Sequence, residues 1–249
     1  MPSLRRPDPQ PLCRERHGAW GWRTDDLAAA AAAAGALPLG LAEAPLLAAT
    51  LPLLFRRVGG RALPFVLVKA AGAAASPLVT PQGRFRGASP VALSTAPFLP
   101  GPAGLLWLDE SSPLLTRGSG GVPFFGPEGL TAPARAAEAA LRLWARDRRR
   151  AAKAAAALER EGLLCPLQHA AAAPGSLMVD AARLALLDGA TVERLQAQGA
   201  LGLAWAHRVS LAHLNTLAHH ARPVAGPAPH GLLAMMAAEA AELADRLDG

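Results

Sequence analysis

The chain contains no tyrosine, and aromatic residues of every kind make up only 4% of its 249 positions. A core drawn from this alphabet has to be assembled from Leu, Val and above all Ala. A buried methyl removes little area from water, so the hydrophobic fraction of 51% overstates the drive to bury. Cys13 and Cys165 are the only cysteines, which excludes a disulfide framework and a cysteine-based zinc site and leaves reduced thiols as the expectation. No uninterrupted apolar run suits a membrane span. Residues 27–55 come nearest, but Gly35, Pro38, Gly40, Pro45 and Pro52 break them and Glu43 places a carboxylate near their middle. The opening MPSLRRPDPQPLCRERHG is charged and proline-rich, with no apolar core behind it of the kind a signal peptide carries, so a cytoplasmic protein is expected.

What is present is a long, alanine-rich, arginine-rich text with a net charge of +6. Residues 1–16 read as a disordered arm, being rich in Pro and Arg without periodicity. From residue 36 to 109 short apolar runs alternate with Gly and Pro (ALPLGL, PLLFRRV, LPFVLVKA, SPLVT, GLLWLD), which predicts a series of short strands. A turn is expected at Pro81-Gln82-Gly83 and one helix over residues 41–51. Residues 113–131 read as a loop. Thr131 before Ala132 and Pro133 predicts a capped helix start, and the helix should run to Glu161 and stop at Gly162. A strand-like piece over 163–169 leads through Pro174-Gly175 to a second at Ser176-Leu-Met-Val. Two helices follow, one from Asp188 or Thr191 to Gln198 and one through His207 that ends at Pro223. These elements predict one α+β domain over residues 17–221, a mainly antiparallel sheet from the N-terminal half packed by helices from the C-terminal half. Residues 222–230 have linker composition. Residues 231–249 predict an amphipathic helix with Leu232, Met236, Leu243 and Leu247 on one face.

The most informative stretch is GALGLAWAHRVSLAHLNTL, where Leu203, His207, Ser210, Leu214 and Leu217 share one helical face. That stripe predicts His207 and Ser210 as buried neighbours. Together they resemble a base and a nucleophile, with Asp109 or Asp180 available to orient the imidazole. Against that reading, no Gly-x-Ser-x-Gly elbow presents the serine at an exposed turn. The pair is therefore expected to satisfy each other or a backbone carbonyl in the core. Asp109, Glu110 and Ser112 sit where a strand ends and a loop begins, a place where carboxylates and hydroxyls satisfy turn amides. His207, His213, His219 and His220 invite a metal reading, but only His213 and His220 share a face, so neither a metal nor a cofactor is expected. Arg117-Gly-Ser-Gly-Gly-Val lacks the Gly-Lys-Ser/Thr ending of a phosphate loop and reads as a connector. Arg135, Arg142, Arg146, Arg149, Arg150 and Lys153 make a basic ridge along the long helix. Without interleaved aromatic residues it reads as a solvated face rather than a nucleic-acid site.

In order and spacing, RHGAWGWR, LPLGLAEAPLLAATLPLLF, LWLDESSPLL, VPFFGPEGLT, EREGLLCP, MVDAARLALL and GALGLAWAHRVSL together resemble the bacterial SapC family. Two segments depart from its pattern. Gly83-Arg84-Phe85 stands where the family has a Gly-x-Trp turn, and Ser94-Thr95-Ala96-Pro97-Phe98 where it has Arg-Tyr-Pro-Phe, so a role tied to that arginine does not carry over. The family's name implies association with a surface layer, and its relatives are encoded near halogenase-like flavoproteins and outer-membrane receptors. The resemblance thus implies a non-catalytic accessory protein that recognises a protein partner or a surface-layer component. The other class it leaves is an enzyme or small-ligand binder beside flavin-dependent halogenase-like chemistry, with a pocket near the Asp109 loop and the His207 helix.

Overall fold

The computed structural model describes residues 8–24, 30–31, 34–80, 82, 84–118 and 120–219. The described chain enters through β1 (Pro9–Pro11), a single turn α1 (Arg14–His17) and β2 (Trp20–Trp22). The expected arm is thus folded from Asp8 onward. Pro-Gln-Pro has no alternation to betray a strand, yet an edge strand tolerates proline, and Gln10 pairs with Leu108 across the sheet. Next come β3 (Ala36–Pro38), α2 (Ala44–Ala48) and the hairpin of β4 (Leu53–Val58) with β5 (Arg61–Leu67). Gly59 and Gly60 close this hairpin with φ of 57° and 81°, the positive values that let a two-residue turn follow the twist of its strands. The apolar segment considered as a membrane span is therefore strand, helix and strand from residue 36 on. No helix among the described residues is long and apolar enough to cross a membrane.

Further along lie α3 (Val91–Ser94), β6 (Phe98–Pro100) and β7 (Leu106–Asp109), which with β1 form a three-stranded sheet in the order β1-β7-β6. The run Ser76–Thr80 makes only an isolated bridge, Val79 to Phe85, across a turn whose Pro81 and Gly83 lie outside the described residues. The loop expected over residues 113–131 instead holds β8 (Leu115–Arg117), β9 (Val122–Pro123), β10 (Phe125–Gly126) and β11 (Gly129–Leu130). Strands of two or three residues are too short to show alternation. β8 and β9 flank β2, and the glycines around them permit close approach. A Cβ at Gly121, where φ is +83°, would lie 2.6 Å from the Trp22 carbonyl oxygen.

The long helix α4 (Ala132–Arg160) runs unbroken for 29 residues. Thr131 stands at its N-cap but its oxygen accepts no amide of the first turn; its hydroxyl donates instead to the Pro123 carbonyl at 2.8 Å. Gly162, with φ of +64°, turns the chain away just beyond the helix end. The principal sheet is then completed from the second half of the chain by β12 (Leu164–Pro166) and β13 (Ser176–Val179), in the order β12-β13-β4-β5-β3. All pairings are antiparallel. The helices α5 (Ala181–Ala185), α6 (Gly189–Ala197), α7 (Ala200–Ser210) and α8 (His213–His219) close the domain. The expected single helix through His207 is broken after Ser210. The Ser210 hydroxyl takes the His207 carbonyl at 2.7 Å, the acceptor that the Leu211 amide would use in a continuing helix. The linker and terminal helix expected beyond residue 221 lie outside the described residues.

The architecture is α+β, with the sheets drawn mainly from the first half and the helices mainly from the second. Helix α4 spans two cores. Its first half offers Ala134, Leu141 and Trp144 to Trp22, Phe98, Leu108 and Phe124. Its second half offers Ala154, Ala155, Ala157 and Leu158 to the principal sheet and α7. The alanines of that half let β5 and α7 approach closely, and they explain how a chain poor in aromatics builds a dry interior. Leu158→Ala should therefore lower the unfolding free energy by about 3 kcal/mol, whereas Leu143→Ala, on the exposed side of α4, should change it by less than about 0.5 kcal/mol. Urea midpoints at constant slope report both.

Candidate functional site

The polar residues singled out in the sequence fall into separate buried clusters. The first joins α7 to the principal sheet. β13 pairs with β4 through Ser176–Arg56 and Leu177–Phe55, and the same register carried onward would set Val179 opposite Leu53. Direct pairing stops short of that point, and the His207 imidazole stands in its place. Its Nε2 accepts the Val179 amide at 3.1 Å, and its Nδ1 lies 2.7 Å from the Leu53 carbonyl oxygen. An amide only donates, so Nε2 carries no proton and Nδ1–H is the donor to Leu53; the surroundings select one neutral tautomer. The Ser210 hydroxyl completes the joint by accepting the Leu53 amide at 2.8 Å. Both side chains are fully buried. Desolvation lowers the His207 pKa from 6.5 to about 4; the bond to Leu53 opposes the shift and nearby Arg208 adds to it.

With both ring nitrogens engaged by backbone, no carboxylate orients this imidazole. Asp180 caps α5, accepting the Ala182 and Arg183 amides. Asp109 holds the turn after β7, accepting the Asp8 and Ser111 amides and the Ser111 hydroxyl through one oxygen. Ser112 accepts the Leu114 amide at 3.3 Å. The candidate triad is thus not assembled: its members serve different turns and helices.

The second cluster unites RHGAWGWR with LWLDESSPLL. Glu110, its side chain only 6% exposed, receives Arg16 on both oxygens and lies 3.0 Å from His17 Nε2. His17 is fully buried, edge-on to Trp20, with Nδ1 against the backbone of Cys13. A third cluster centres on Glu43. One oxygen accepts the Gly40 amide and the Trp144 indole N–H, each at 2.8 Å, and the other accepts the Val91 amide at 3.0 Å. Asp147 reinforces it by accepting the Ala42 amide. Sequence reasoning named neither His17 nor Trp144 as a site residue. The available signal was the isolated carboxylate of Glu43 in an apolar run, which has to find donors once buried.

Among the described residues the histidines form no metal-binding group. His213 donates to the Ala48 carbonyl at 3.1 Å, and His220 lies outside the described residues. No group of three or more metal-binding side chains occurs among the described residues. One concavity among the described residues is an open depression of about 590 Å³ around Arg57, Gln168, His169 and Ser176, at the β12–β13 turn. There His169 Nδ1 accepts the Ala171 amide and Nε2 pairs with Asn215.

The first cluster carries a pH signature. Between about 4 and 6.5 the unfolded chain takes up a proton that the folded chain refuses at His207. Stability should therefore decline as pH falls through that window, by up to about 3 kcal/mol, and level off below it. Urea unfolding from pH 7.5 to 3.5 tests this. In Ser210→Ala the window should persist while stability drops by about 1 to 3 kcal/mol for the orphaned Leu53 amide; in His207→Ala the contribution to the slope should vanish.

The model of the SapC family matches residues 12–217. No curated protein and no solved structure matches the chain. The match takes in all three buried clusters, from His17 to Ser210, and on that coverage the chain belongs to the SapC family.

Proposed function

We propose that this protein acts through its outer surface, as a non-catalytic accessory protein that binds a protein partner. The observation that carries this reading is the use already made of the chemistry-bearing groups. Both nitrogens of His207, the hydroxyl of Ser210 and both oxygens of Glu110 are spent on internal hydrogen bonds. A nucleophile or general base has to reach a substrate, and the fully buried His207 and Ser210 do not.

The surface that fits a partner is the outer side of α4. Arg135 is drawn back to the Leu130 carbonyl, Arg142 pairs with Glu138 and Arg150 with Asp147. Arg146, Arg149 and Lys153 are exposed and make no ion pair among the described residues, and exposed Leu143 lies beside them. Unpaired cations around an apolar side chain suit an acidic protein surface, because complementary charge steers encounter and the leucine adds burial at contact. A surface-layer or outer-membrane component is the partner class that the family's name favours.

A photo-crosslinking residue in place of Arg149 in the full-length protein tests the proposal. A discrete acidic protein should be captured, lost in the triple variant R146E/R149E/K153E and retained in Ser210→Ala. Capture of nucleic acid that persists above physiological salt, or turnover of a small molecule that Ser210→Ala abolishes, would overturn it.

A further inference from the structure

Helix α7 is saturated on its inner side and bare on its outer side. Ala200, Leu203, Ala204, His207 and Ser210 are buried, while Trp205 and Val209 stand 55% and 67% exposed, with exposed Gly202 one turn before Trp205 and exposed Ala212 in the turn just after the helix. A tryptophan and a valine one turn apart, flanked by Gly202 and by the cation of Arg208, form a strip that a single helix can cover. The sequence predicts such a helix in the same chain. Beyond the family match, which ends at Leu217, the sequence places Leu232, Met236, Ala240, Leu243 and Leu247 on one helical face.

We infer that residues 231–247 dock on the outer face of α7 within the same chain. Tether length permits it. The eleven residues 220–230 include Pro223, Pro227 and Pro229, and at about 3.1 Å per extended residue they reach roughly 30 Å. The return from His219 to Val209 is ten residues of mostly helical chain, roughly 15 to 20 Å. A tether of this length keeps the segment at millimolar effective concentration beside the strip, which favours its own chain over a second copy.

Charge agrees. The last thirty residues carry Glu239, Glu242, Asp245 and Asp248 against Arg222 and Arg246, while the chain as a whole is basic, with a net charge of +6. Arg208, half-exposed beside Val209, has no ion-pair partner among the described residues. Ala240 at the middle of the segment's apolar face allows the close helix approach that a Trp–Gly strip accommodates. This docking is independent of the α4 ridge, and the two surfaces are separately testable.

The experiment uses the full chain with Cys13→Ser and Cys165→Ser, a nitroxide on Ala241→Cys at the back of the segment, and the Trp205 indole N–H signal read by NMR in dilute solution. The chemically reduced label provides the reference. The Trp205 signal should be lost to the label and restored by Met236→Asp, a change beyond the residues that the family model matches. A signal that survives the label would overturn the inference, as would a loss insensitive to Met236→Asp. So would a loss of equal size when unlabelled chains are mixed with nitroxide-bearing ones, since that places the contact between copies.

Discussion

The fold turns on one rung of a ladder. Where β4 and β13 would exchange their next backbone hydrogen bond, an imidazole from α7 takes the amide of one strand and serves the carbonyl of the other. The principal sheet and the helical layer are therefore held by the same polar contact, and α7 has little freedom to slide. The requirement is strict. A charged imidazole would lose its acceptor for Val179, and the opposite tautomer would place two donors face to face. Burial supplies the neutral form and the two backbone groups select the tautomer, so the joint works only while the site stays dry.

The other two clusters follow the same logic. Glu110 ties the N-terminal strand and turn to the end of β7, and Glu43 ties the start of α2 to α3 and α4. Each is a polar side chain inserted where short elements meet, Glu43 taking the backbone amides of Gly40 and Val91 and Glu110 the side chains of Arg16 and His17. A chain rich in alanine and poor in aromatics gains less from each buried side chain, and satisfied polar joints specify which elements meet in a way that interchangeable methyl groups cannot. Residues that resemble catalytic groups on paper make internal hydrogen bonds that join the elements of the domain.

Much of this was legible in advance. The apolar runs that become β4 and β5, the long helix and its stop at Gly162, and the burial of His207 and Ser210 follow from periodicity and from glycine and proline punctuation; that Gly59-Gly60 joins the two strands in a hairpin was not read in advance. The seating of β1 was hidden, because a Pro-Gln-Pro strand has no pattern and owes its place to the edge that β7 offers. The short strands of residues 115–130 were hidden for a related reason: two or three residues carry no period. Thr131 misled because local spacing suggests a cap, while in the fold its side chain is turned to the Pro123 carbonyl and accepts no first-turn amide.

By itself the sequence determined the class of fold, the family and which face of the His207 helix is buried, since these depend on patterns repeated along neighbouring positions. Which groups His207, Glu110 and Glu43 would meet was decided only by the tertiary structure. Hydrogen bonds act over about 3 Å, and the partners, Leu53 and Val179 for one, Arg16 and His17 for another, Val91 and Trp144 for the third, are brought within that range by folding and by nothing in the local order of residues.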